Sequence, residues 1–364
     1  MCDKKNLINI IKSSLESLKI SRATEIEKEI INIHDHLRGR KNNKKHKFTF
    51  IDLFAGIGGM RMGFESVYGK CVMSSEIDRR ALATYFCNFG DLVPAEHRDI
   101  TKLKGAKVPD HDILLAGFPC QAFSIAGERR GFQDTRGTLF FDIQKIIAAK
   151  RPKAFLLENV KGLINHDKGK TFKVILHTLE KKLGYQVHYK ILNTMEHGNI
   201  PQTRERIYIV GFDKKIFKNI KFDFPKPIKL KKRISHLLEK KQKDDTLFYE
   251  RFGMHSILKK EITKIDVVYQ WRRAYVRENK SNACPTLTAN MGTGGHNVPL
   301  IKDPFCKRVR KLSPRECANF QGFPSSYFIP SFLAKSYLYK QFGNSVSVPV
   351  VQRIAENILK AIQK

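Results

Sequence analysis

From Lys47 onwards the sequence predicts a doubly wound α/β domain, in which a mostly parallel sheet is covered by helices on both faces. Short apolar runs, each long enough for one buried strand, alternate with segments whose apolar residues recur at helical spacing. Continuous apolar runs are typical of strands that are buried on both faces, and their alternation with helices indicates βαβ units. The predicted strands are Phe48–Leu53, Cys71–Ser75, Ile113–Ala116, Ala154–Leu157 and Ile207–Val210, and the predicted helices are Gly59–Ser66, Arg79–Phe89, Leu139–Ala149 and Phe172–Leu183.

Residues 1–46 form a polar, basic segment ahead of this domain. Its apolar residues recur at helical spacing from Leu7 to Leu18 and from Ile26 to Leu37, which predicts two short amphipathic helices. Two interpretations stay open for this segment. It is either a DNA-contacting helix pair or a helical extension that packs on the main domain or is loosely attached to it, and we favour the extension.

The alternation of strands and helices ends after about Asp213. Residues 214–243 are dense in lysine, and residues 267–301 are rich in Thr, Asn, Gly and Arg, which predicts loops and short strands. A final amphipathic helix over Pro349–Ile362 is expected to pack back onto the sheet. The predicted parts are a helical basic extension (1–46), the sheet domain (47–228), a smaller irregular domain (229–335) and a return to the sheet domain (336–364).

The chain carries a large positive charge. Of its 364 residues, 67 are Lys or Arg and 35 are Asp or Glu, which gives a formal charge of +32 at pH 7. A field of this sign favours a polyanionic partner, most often nucleic acid. We expect the lysine-rich stretch 214–243 to supply part of the contact surface.

Membrane and metal chemistry are disfavoured by the sequence. No stretch approaches the roughly 18 uncharged apolar residues that a membrane helix needs. The seven cysteines are scattered without a Cys-x-x-Cys pair, which disfavours a zinc ribbon, and the basic N-terminus is a poor export signal. We therefore expect no metal site, reduced thiols and a cytoplasmic location.

The segment Phe50–Gly59 is typical of a strand that runs into a glycine-rich turn and then a helix. Glycine lets the backbone approach a ligand, and the helix N-terminus offers free N–H groups. The Gly-x-Gly-Gly spacing does not match the NAD fingerprint. Glu76 follows the next strand, where it can accept from ribose hydroxyls, and Asp99, after a third strand, can accept from an adenine amino group. Helix capping is the alternative role of each acid.

Cys120 lies in the segment Gly117–Ser124, directly after a predicted strand. This position is the edge of the sheet where open α/β proteins bind ligands, and Pro119 stiffens the approach to it. The following residues, 121–137, are polar and contain three arginines. They predict a mobile basic loop over the site.

Further polar groups lie at other strand ends. Glu158 ends an apolar strand, where a raised pKa would let it donate a proton, although capping of the next helix is the alternative. Arg204 and Arg206 share one face of an extended segment and can donate to carbonyl or phosphate oxygens. The segment Gln341–Val346 predicts a second polar turn before the final helix.

Taken in order, these segments resemble the DNA (cytosine-5) methyltransferases, most closely the bacterial enzymes of restriction–modification systems. The blocks are Phe-x-Gly-x-Gly-Gly, Pro-Cys-Gln, Glu-Asn-Val, Arg-x-Arg, a variable region and Gly-Asn-Ser. The resemblance covers about residues 48–212 and 308–350. It implies the fold of methyltransferases that depend on S-adenosylmethionine, with the smaller domain as the target-recognition domain.

The resemblance also implies a mechanism. The Cys120 thiolate adds to C6 of a cytosine flipped out of the duplex, and C5 then takes the methyl group of S-adenosylmethionine. Glu158 protonates or hydrogen-bonds N3, Arg206 holds O2, and Arg204 supports the pair. Relatives often carry Trp where this chain has Ile77, although an aliphatic side chain can still pack on adenine. The implied cofactor-binding residues are Phe54, Gly56, Gly58, Glu76, Ile77, Asp99, Pro119, Leu139 and Asn344.

The variable region is expected to read the DNA sequence. Its segment Pro285–Thr288 resembles the Thr-Leu element of the family's recognition domain. We further expect double-stranded DNA as partner, a monomer, association with the nucleoid in a bacterial cytoplasm, and a cognate endonuclease that is a genetic rather than a physical partner. The residues expected to contact DNA are Ser124, Arg136, Arg272, Arg273, Thr286 and Leu287.

Three other functions remain as alternatives. A tRNA cytosine-5 methyltransferase of the same fold usually carries a Cys-Phe-Thr motif, which this chain lacks. A DNA-binding regulator on an inactive methyltransferase scaffold is disfavoured by the intact Cys120 and Glu158. An NAD-dependent oxidoreductase is disfavoured by the spacing of the glycines.

Overall fold

The computed structural model of the chain describes residues 4–18, 23–39, 45–119, 139–250, 253, 255–272, 275–280, 282–292 and 297–363. The helices are α1 (Lys4–Ser17), α2 (Ala23–Gly39), α3 (Gly59–Glu65), α4 (Arg79–Phe89), α5 (Ala95–Arg98), α6 (Leu139–Lys150), α7 (Lys170–His177), α8 (Thr194–His197), α9 (His255–Glu261), α10 (Pro314–Phe320), α11 (Lys335–Asn344) and α12 (Val348–Ile362). The strands are β1 (Phe48–Leu53), β2 (Gly69–Ser75), β3 (Ile113–Gly117), β4 (Ala154–Val160), β5 (Tyr185–Asn193), β6 (Gln202–Thr203), β7 (Glu205–Asp213), β8 (Tyr269–Arg272), β9 (Tyr275–Glu278), β10 (Cys284–Pro285), β11 (Val298–Lys302) and β12 (Val309–Lys311). Across these ranges, no helix has both the length and the apolar character that crossing a membrane requires.

The main sheet has the strand order β2-β1-β3-β4-β7-β5. Its first four strands are parallel, β7 runs antiparallel to β4, and β5 runs antiparallel to β7. The ends of β1 to β4 and the start of β7 therefore meet at one edge, which we call the carboxyl edge. The opposite edge, where β1 to β4 begin and β7 ends, is the amino edge.

Helices cover both faces of this sheet. On one face, α3 and α12 pack over a core that includes Phe50 and Ile354. On the other face, α6 and α7 pack over a core that includes Leu114, Ile143 and Ile175. The doubly wound, mostly parallel architecture is therefore confirmed, and the apolar runs of the central strands are explained by burial on both sides.

All five predicted strands are present, with small shifts at their ends. β5 was not predicted, because it is the last strand at one side of the sheet and of its residues only Tyr185 and Leu192 are buried. The strand expected ahead of Asp99 is wrong, since α5 and a 3₁₀ turn flank this residue. The polar turn expected over Gln341–Val346 is also partly wrong, because α11 continues to Asn344.

A second, antiparallel sheet has the order β12-β11-β8-β9. It has its own apolar core, which includes Leu258 of α9, Tyr269 and Leu300. This arrangement matches the loops and short strands expected in the variable region. The domain limits at 46, 228 and 335 stay predictions.

The first two helices form a hairpin that packs on the main domain. Leu15 of α1 and Ile30 and Ile33 of α2 are buried in the same core as residues of α4. The Glu29 carboxylate accepts from the backbone N–H of Ser331 at 2.9 and 3.1 Å. The hairpin is therefore joined both to α4 and to the segment between α10 and α11.

The exposed face of α2 is more acidic than basic. Glu25, Glu27 and Asp35 are exposed beside Lys28 and Arg38. Such a face is poorly suited to phosphates, which need an excess of positive charge. The charge of this face and the packing of the hairpin therefore favour a packed extension over a DNA-contacting role for α2.

The lysine-rich stretch begins at the amino edge of the sheet. β7 ends at Asp213, whose backbone N–H donates to the Lys153 carbonyl just ahead of β4 at 3.0 Å. The chain then runs along α12, where the Asn357 side chain donates to the Asp223 carbonyl. It returns towards the carboxyl edge at Lys231. Residues 214–221 therefore lie at the amino edge.

Candidate active site

The register of three strands brings Glu158 and Arg206 together at the carboxyl edge. Gly117 of β3 pairs with Glu158 of β4, and Val160 of β4 pairs with Arg206 of β7. The Arg206 Nε atom lies 3.2 Å from Glu158 Oε1, so the two side chains form an ion pair. The site joins residues that are almost 50 positions apart because β7 lies next to β4 in the sheet.

Glu158 is buried, with 8% of its surface exposed. Burial raises the pKa of Glu158 above its usual value, and the positive charges of Arg206 and Arg204 oppose this rise only in part. A carboxyl group in this setting holds its proton to a higher pH than an exposed one. It is therefore better suited to act as a proton donor than an exposed carboxyl group.

Arg204 is 2% exposed and donates to protein carbonyls rather than to an open site. Its guanidinium bonds the carbonyls of Leu287 (2.9 Å), Gly343 (3.2 Å) and Ser345. Burial, together with the neighbouring Arg206, lowers the pKa of Arg204 to about 9, so the group still carries its charge at neutral pH. Arg204 thus joins the segment ahead of β7 to the Thr-Leu element and to the end of α11.

Asn159 bonds the backbone at Phe118, two positions ahead of Cys120 in the sequence. Its side-chain amide donates to the Phe118 carbonyl at 2.9 Å, and its oxygen accepts from the Val160 N–H. This bond fixes the backbone just ahead of Pro119, which is exposed. The other predicted residues of this region, Cys120, Ser124, Arg136 and the basic loop 121–137, lie outside the described residues.

The glycine-rich turn after β1 lies at the same edge of the sheet. Gly58 has a φ of 81°, and a Cβ atom there would lie 2.2 Å from the ring of Phe89. The Gly56 N–H donates to Glu76 Oε2 at 2.8 Å. The glycine turn and Glu76 are therefore directly bonded to each other.

Glu76 is not needed as a helix cap. Asp78 caps α4, since its carboxylate accepts from the Arg80 and Ala81 N–H groups, while the Asp78 N–H itself donates to Glu76 Oε1 at 2.7 Å. Burial raises the pKa of Glu76 above its usual value. The next residue, Ile77, is 68% exposed, which is unusual for a large apolar side chain.

The remaining predicted cofactor residues are more loosely grouped. Asp99 acts as a cap, because its carboxylate accepts from the Thr101 N–H (3.0 Å) and hydroxyl (2.7 Å). These bonds, first of all the one from the hydroxyl, keep the pKa of Asp99 below its usual value. Leu139 begins α6 and is half-buried, and Asn344 ends α11 and is exposed.

The Thr-Leu element packs against the main domain. Leu287 is 2% exposed, so its side chain lies in the core rather than facing solvent, while its N–H donates to Gln202 Oε1 at 3.2 Å. The Thr286 hydroxyl donates to the Thr203 carbonyl at 2.8 Å. A Cβ atom at Gly343 would lie 2.3 Å from the Thr288 backbone, so α11 reaches this element only because that residue is glycine.

Arg272 is the other described residue among the predicted DNA contacts. It ends β8 and donates to the Asn297 side chain. Arg273 and residues 293–296 lie outside the described residues.

Two polar residues that the sequence analysis did not single out belong to this site. Gln202 is fully buried, and besides accepting from Leu287 it donates to the Phe320 carbonyl at 2.6 Å. Asp52 is buried in β1 below the glycine turn, where burial raises its pKa to about 7 against the opposing charge of Arg61. The only signal in the sequence was the position of each polar residue beside a motif.

Comparisons with known proteins agree with this geometry. The family model described as C-5 cytosine-specific DNA methylase matches residues 48–360. The chain is 51% identical over 316 residues to Type II methyltransferase M.Bsp6I of Bacillus sp. (strain RFL6). The aligned region covers 85% of this chain and 98% of that relative. It is 48% identical to Type II methyltransferase M1.ScrFI of Lactococcus lactis subsp. cremoris, over 89% of this chain and 81% of that relative.

Solved structures share the fold. The crystal structure of the S. pombe Dnmt2 methyltransferase aligns with a TM-score of 0.68 and 22% sequence identity, over 87% of this chain and 100% of that chain. The matched family model covers the sheet, the glycine turn, the Glu158–Arg206 pair and the smaller sheet. The chain therefore belongs to the C-5 cytosine-specific DNA methylase family.

Proposed function

We propose that this DNA methylase methylates C5 of one cytosine within a short specific sequence of duplex DNA, as the modification arm of a restriction–modification system. The buried Glu158–Arg206 pair carries this proposal, because it offers a proton donor and a cation beside Gly117, three positions ahead of the predicted nucleophile Cys120 in the sequence. The Type II methyltransferase names of the relatives support the biological setting.

The proposed reaction uses Cys120 as a covalent catalyst. Its thiolate adds to C6 of the cytosine while Glu158 gives a proton to N3, so that the ring becomes an enamine with a nucleophilic C5. C5 then forms its bond to the methyl carbon, and the sulfonium–methyl bond breaks with its electron pair going to sulfur. Loss of the C5 proton to a base, elimination of the thiolate and return of the N3 proton to Glu158 restore the aromatic ring and the protonated carboxyl group.

The environment of Glu158 suits this role. Burial raises the pKa of Glu158, so the carboxyl group keeps its proton to a higher pH than an exposed one and is better suited to give it to N3 as the thiolate adds. The Arg206 guanidinium, which touches the same carboxyl group, is placed to donate to the O2 atom of the base. Arg204 fixes the segment that leads into Arg206, because its guanidinium donates to the backbone carbonyls of Leu287 and Gly343.

The residues at the glycine turn fit S-adenosylmethionine. The exposed Ile77 offers an apolar surface for adenine, and the neighbouring Glu76 offers carboxylate oxygens for the ribose hydroxyls. The other proposed cofactor residues are Phe54, Gly56, Gly58, Asp99, Pro119, Leu139 and Asn344. When bound, S-adenosylmethionine supplies an electrophilic methyl group.

The buried position of Glu158 supports base flipping. A base stacked inside a duplex cannot reach a carboxyl group that is 8% exposed at the edge of a sheet. The cytosine must therefore rotate into the site, at a cost of a few kcal/mol. We propose that the basic loop 121–137 closes behind it, with Ser124 and Arg136 near the DNA.

Sequence reading is proposed for the smaller domain. Arg272, Arg273 and Thr286 are the candidates for DNA contact in this region. The buried Leu287 contributes by holding the Thr-Leu element in place rather than by a side-chain contact. We also propose a monomer in the bacterial cytoplasm, with the nucleoid as its site of action and an endonuclease as a genetic partner.

Tritium transfer from labelled S-adenosylmethionine tests the reaction. We expect label in duplex DNA as 5-methylcytosine with the wild-type protein and none with Cys120→Ala. Cys306→Ala, which changes an exposed cysteine near the turn between β11 and β12, should keep full activity. Transfer of label by Cys120→Ala would contradict covalent catalysis, and labelling of tRNA but not of duplex DNA would contradict the substrate.

A further inference from the structure

The glycine turn holds backbone conformations that side chains disfavour. Phe54, Gly56 and Gly58 have φ angles of 58°, 55° and 81°, so three of five successive residues are left-handed. Phe54 adopts this conformation despite having a side chain, which is uncommon and costs energy. A turn of this kind keeps its shape only when its surroundings hold it.

Two bonds hold the turn from the side of β2. The Ala55 N–H donates to the Ser75 carbonyl at 2.9 Å, and the Gly56 N–H donates to Glu76 Oε2 at 2.8 Å. Both bonds lie on the side of the turn where the ribose-binding carboxylate is expected. They leave the other side of the turn to be held by a different part of the chain.

Tyr327 holds that other side. Its hydroxyl donates to the Ile57 carbonyl at 2.7 Å, across 270 positions of sequence. Tyr327 lies between α10 and α11, in the segment that joins the smaller sheet back to the main domain. A residue outside the cofactor motifs therefore bonds the backbone of the cofactor turn directly.

The position of the Tyr327 hydroxyl is itself fixed. Its ring is buried and packs edge-on against Phe323, with 4.5 Å between the ring centroids. The next residue is held by a reciprocal pair of bonds, since the Phe328 N–H donates to Asn88 Oδ1 and the Asn88 amide donates to the Phe328 carbonyl, both at 2.8 Å. Asn88 belongs to α4, the helix that follows Glu76.

We propose that Tyr327 is a positioning residue of the cofactor site, whose hydroxyl keeps the glycine turn in the shape that binds S-adenosylmethionine. This inference rests on the cofactor site proposed above. Without the hydroxyl, the turn would sample other conformations, and binding would have to restore its order. Cofactor affinity should therefore fall, while kcat at saturating cofactor and the affinity for DNA stay close to wild type.

Tyr185 provides a matched control. Its hydroxyl also donates to a backbone carbonyl, that of Pro152, at 2.7 Å, and its ring is buried at the amino edge of the sheet. Tyr327→Phe and Tyr185→Phe therefore each lose one buried bond of the same kind. We expect similar small falls in Tm, but a rise of about threefold to tenfold in the Kd of S-adenosylmethionine only in Tyr327→Phe.

Hydrogen exchange of the protein without cofactor gives a second measurement. The amides of residues 55–59 should exchange faster in Tyr327→Phe than in wild type or Tyr185→Phe. Unchanged cofactor affinity together with unchanged exchange in Tyr327→Phe would overturn the inference, as would an equal loss of affinity in Tyr185→Phe. A wild-type protein that does not bind S-adenosylmethionine would instead overturn the proposed function, and the exchange result would still decide whether Tyr327 holds the turn.

Discussion

Glu158 is a carboxyl group whose ionisation is disfavoured by burial and favoured by the positive charges of Arg206 and Arg204. Burial is the larger effect, so the pKa of Glu158 lies above its usual value. The protonated form, which is the proposed donor to N3, persists below this raised pKa and is lost as the pH rises through it. The rate of methyl transfer should therefore fall on the alkaline side as Glu158 ionises.

Glu158→Gln tests this role, because glutamine keeps the shape of the side chain but cannot give up a proton. We expect kcat to fall by about 10²-fold or more, in line with the loss of a general acid. The alkaline limb that Glu158 causes should also vanish from the pH–rate profile. Glu205→Gln removes a half-exposed carboxylate paired with Lys161 and should leave both unchanged. A Glu158→Gln enzyme with wild-type rate and pH profile would contradict the assignment.

The residue pattern alone put Glu158, Arg204 and Arg206 at strand ends, and only the family resemblance gave the two arginines different roles. An extended segment puts both arginines on one face, so each was a candidate donor to a ligand. The structure separates them because the acceptors of Arg204, such as the Leu287 and Gly343 carbonyls, are 83 and 139 positions away. Contacts between residues so far apart in the sequence cannot be predicted from local residue spacing. The same holds for the hydrogen bond from Tyr327.

At the scale of elements, Arg204 joins three segments that carry different parts of the site. Arg204→Lys keeps the charge, but one ammonium cannot reach three carbonyls in the geometry of the guanidinium. We expect a loss of about 2–4 kcal/mol in the free energy of unfolding, since buried carbonyls are left unpaired. Denaturant unfolding measures this loss.

Arg353→Lys is the control for that variant. Arg353 also donates to two backbone carbonyls, those of His197 and Lys226, but it is half-buried and water can replace its bonds. Its loss should stay below about 1 kcal/mol. Equal losses in the two variants would show that Arg204 has no special structural role.

A second prediction at the scale of elements concerns the helical hairpin of α1 and α2, which should stabilise the main domain. Ile33 is fully buried against the main domain, whereas Ile31, two residues earlier, is 52% exposed. Ile33→Ala should lower the Tm of the main unfolding transition, because the hairpin shares a core with α4. The corresponding loss in the free energy of unfolding should be about 2–4 kcal/mol. Ile31→Ala should have little effect. An unchanged main transition in Ile33→Ala would show that the hairpin unfolds independently.

The central strands that the sequence predicted are those buried on both faces. β3 and β4 begin with continuous apolar runs, and β1 is apolar apart from Thr49 and Asp52, because helices cover both sides of the sheet. β5 was missed because an edge strand with half-exposed residues has no such run. Asp99 was placed after a strand because an acid at a strand end and an acid at a helix cap look alike in sequence.

At the scale of the whole molecule, the charge of +32 is not gathered at one edge of the sheet. Lys214, Lys215, Lys218 and Lys221 are exposed at the amino edge, about 24 Å from Arg206 at roughly 3.4 Å per residue along β7. Residues 214–221 therefore lie far from a cytosine bound at the carboxyl edge, and the expectation that the stretch 214–243 supplies part of the DNA-contact surface stays a prediction.

Salt dependence of DNA binding tests this distribution of charge. Neutralising those four lysines with glutamine should leave the slope of log K against log salt unchanged on a short specific duplex. Each lysine that does contact a phosphate contributes about 0.9 to the slope. Neutralising Lys161, Lys231 and Lys232, which lie towards the carboxyl edge, is the matched comparison and should reduce the slope for each of them that contacts DNA. A shallower slope in the amino-edge variant would place DNA on that edge.

Methylation inside a cell tests the central claim most directly. The wild-type protein and Cys120→Ala are each expressed with a plasmid in a host that lacks cytosine-5 methylation, and the plasmid is sequenced after bisulfite conversion. We predict that the wild-type protein protects one cytosine within a short recurring sequence, on duplex DNA, and that Cys120→Ala protects none. A plasmid without protected cytosines in the wild-type culture, or the same protection with Cys120→Ala, would contradict this account.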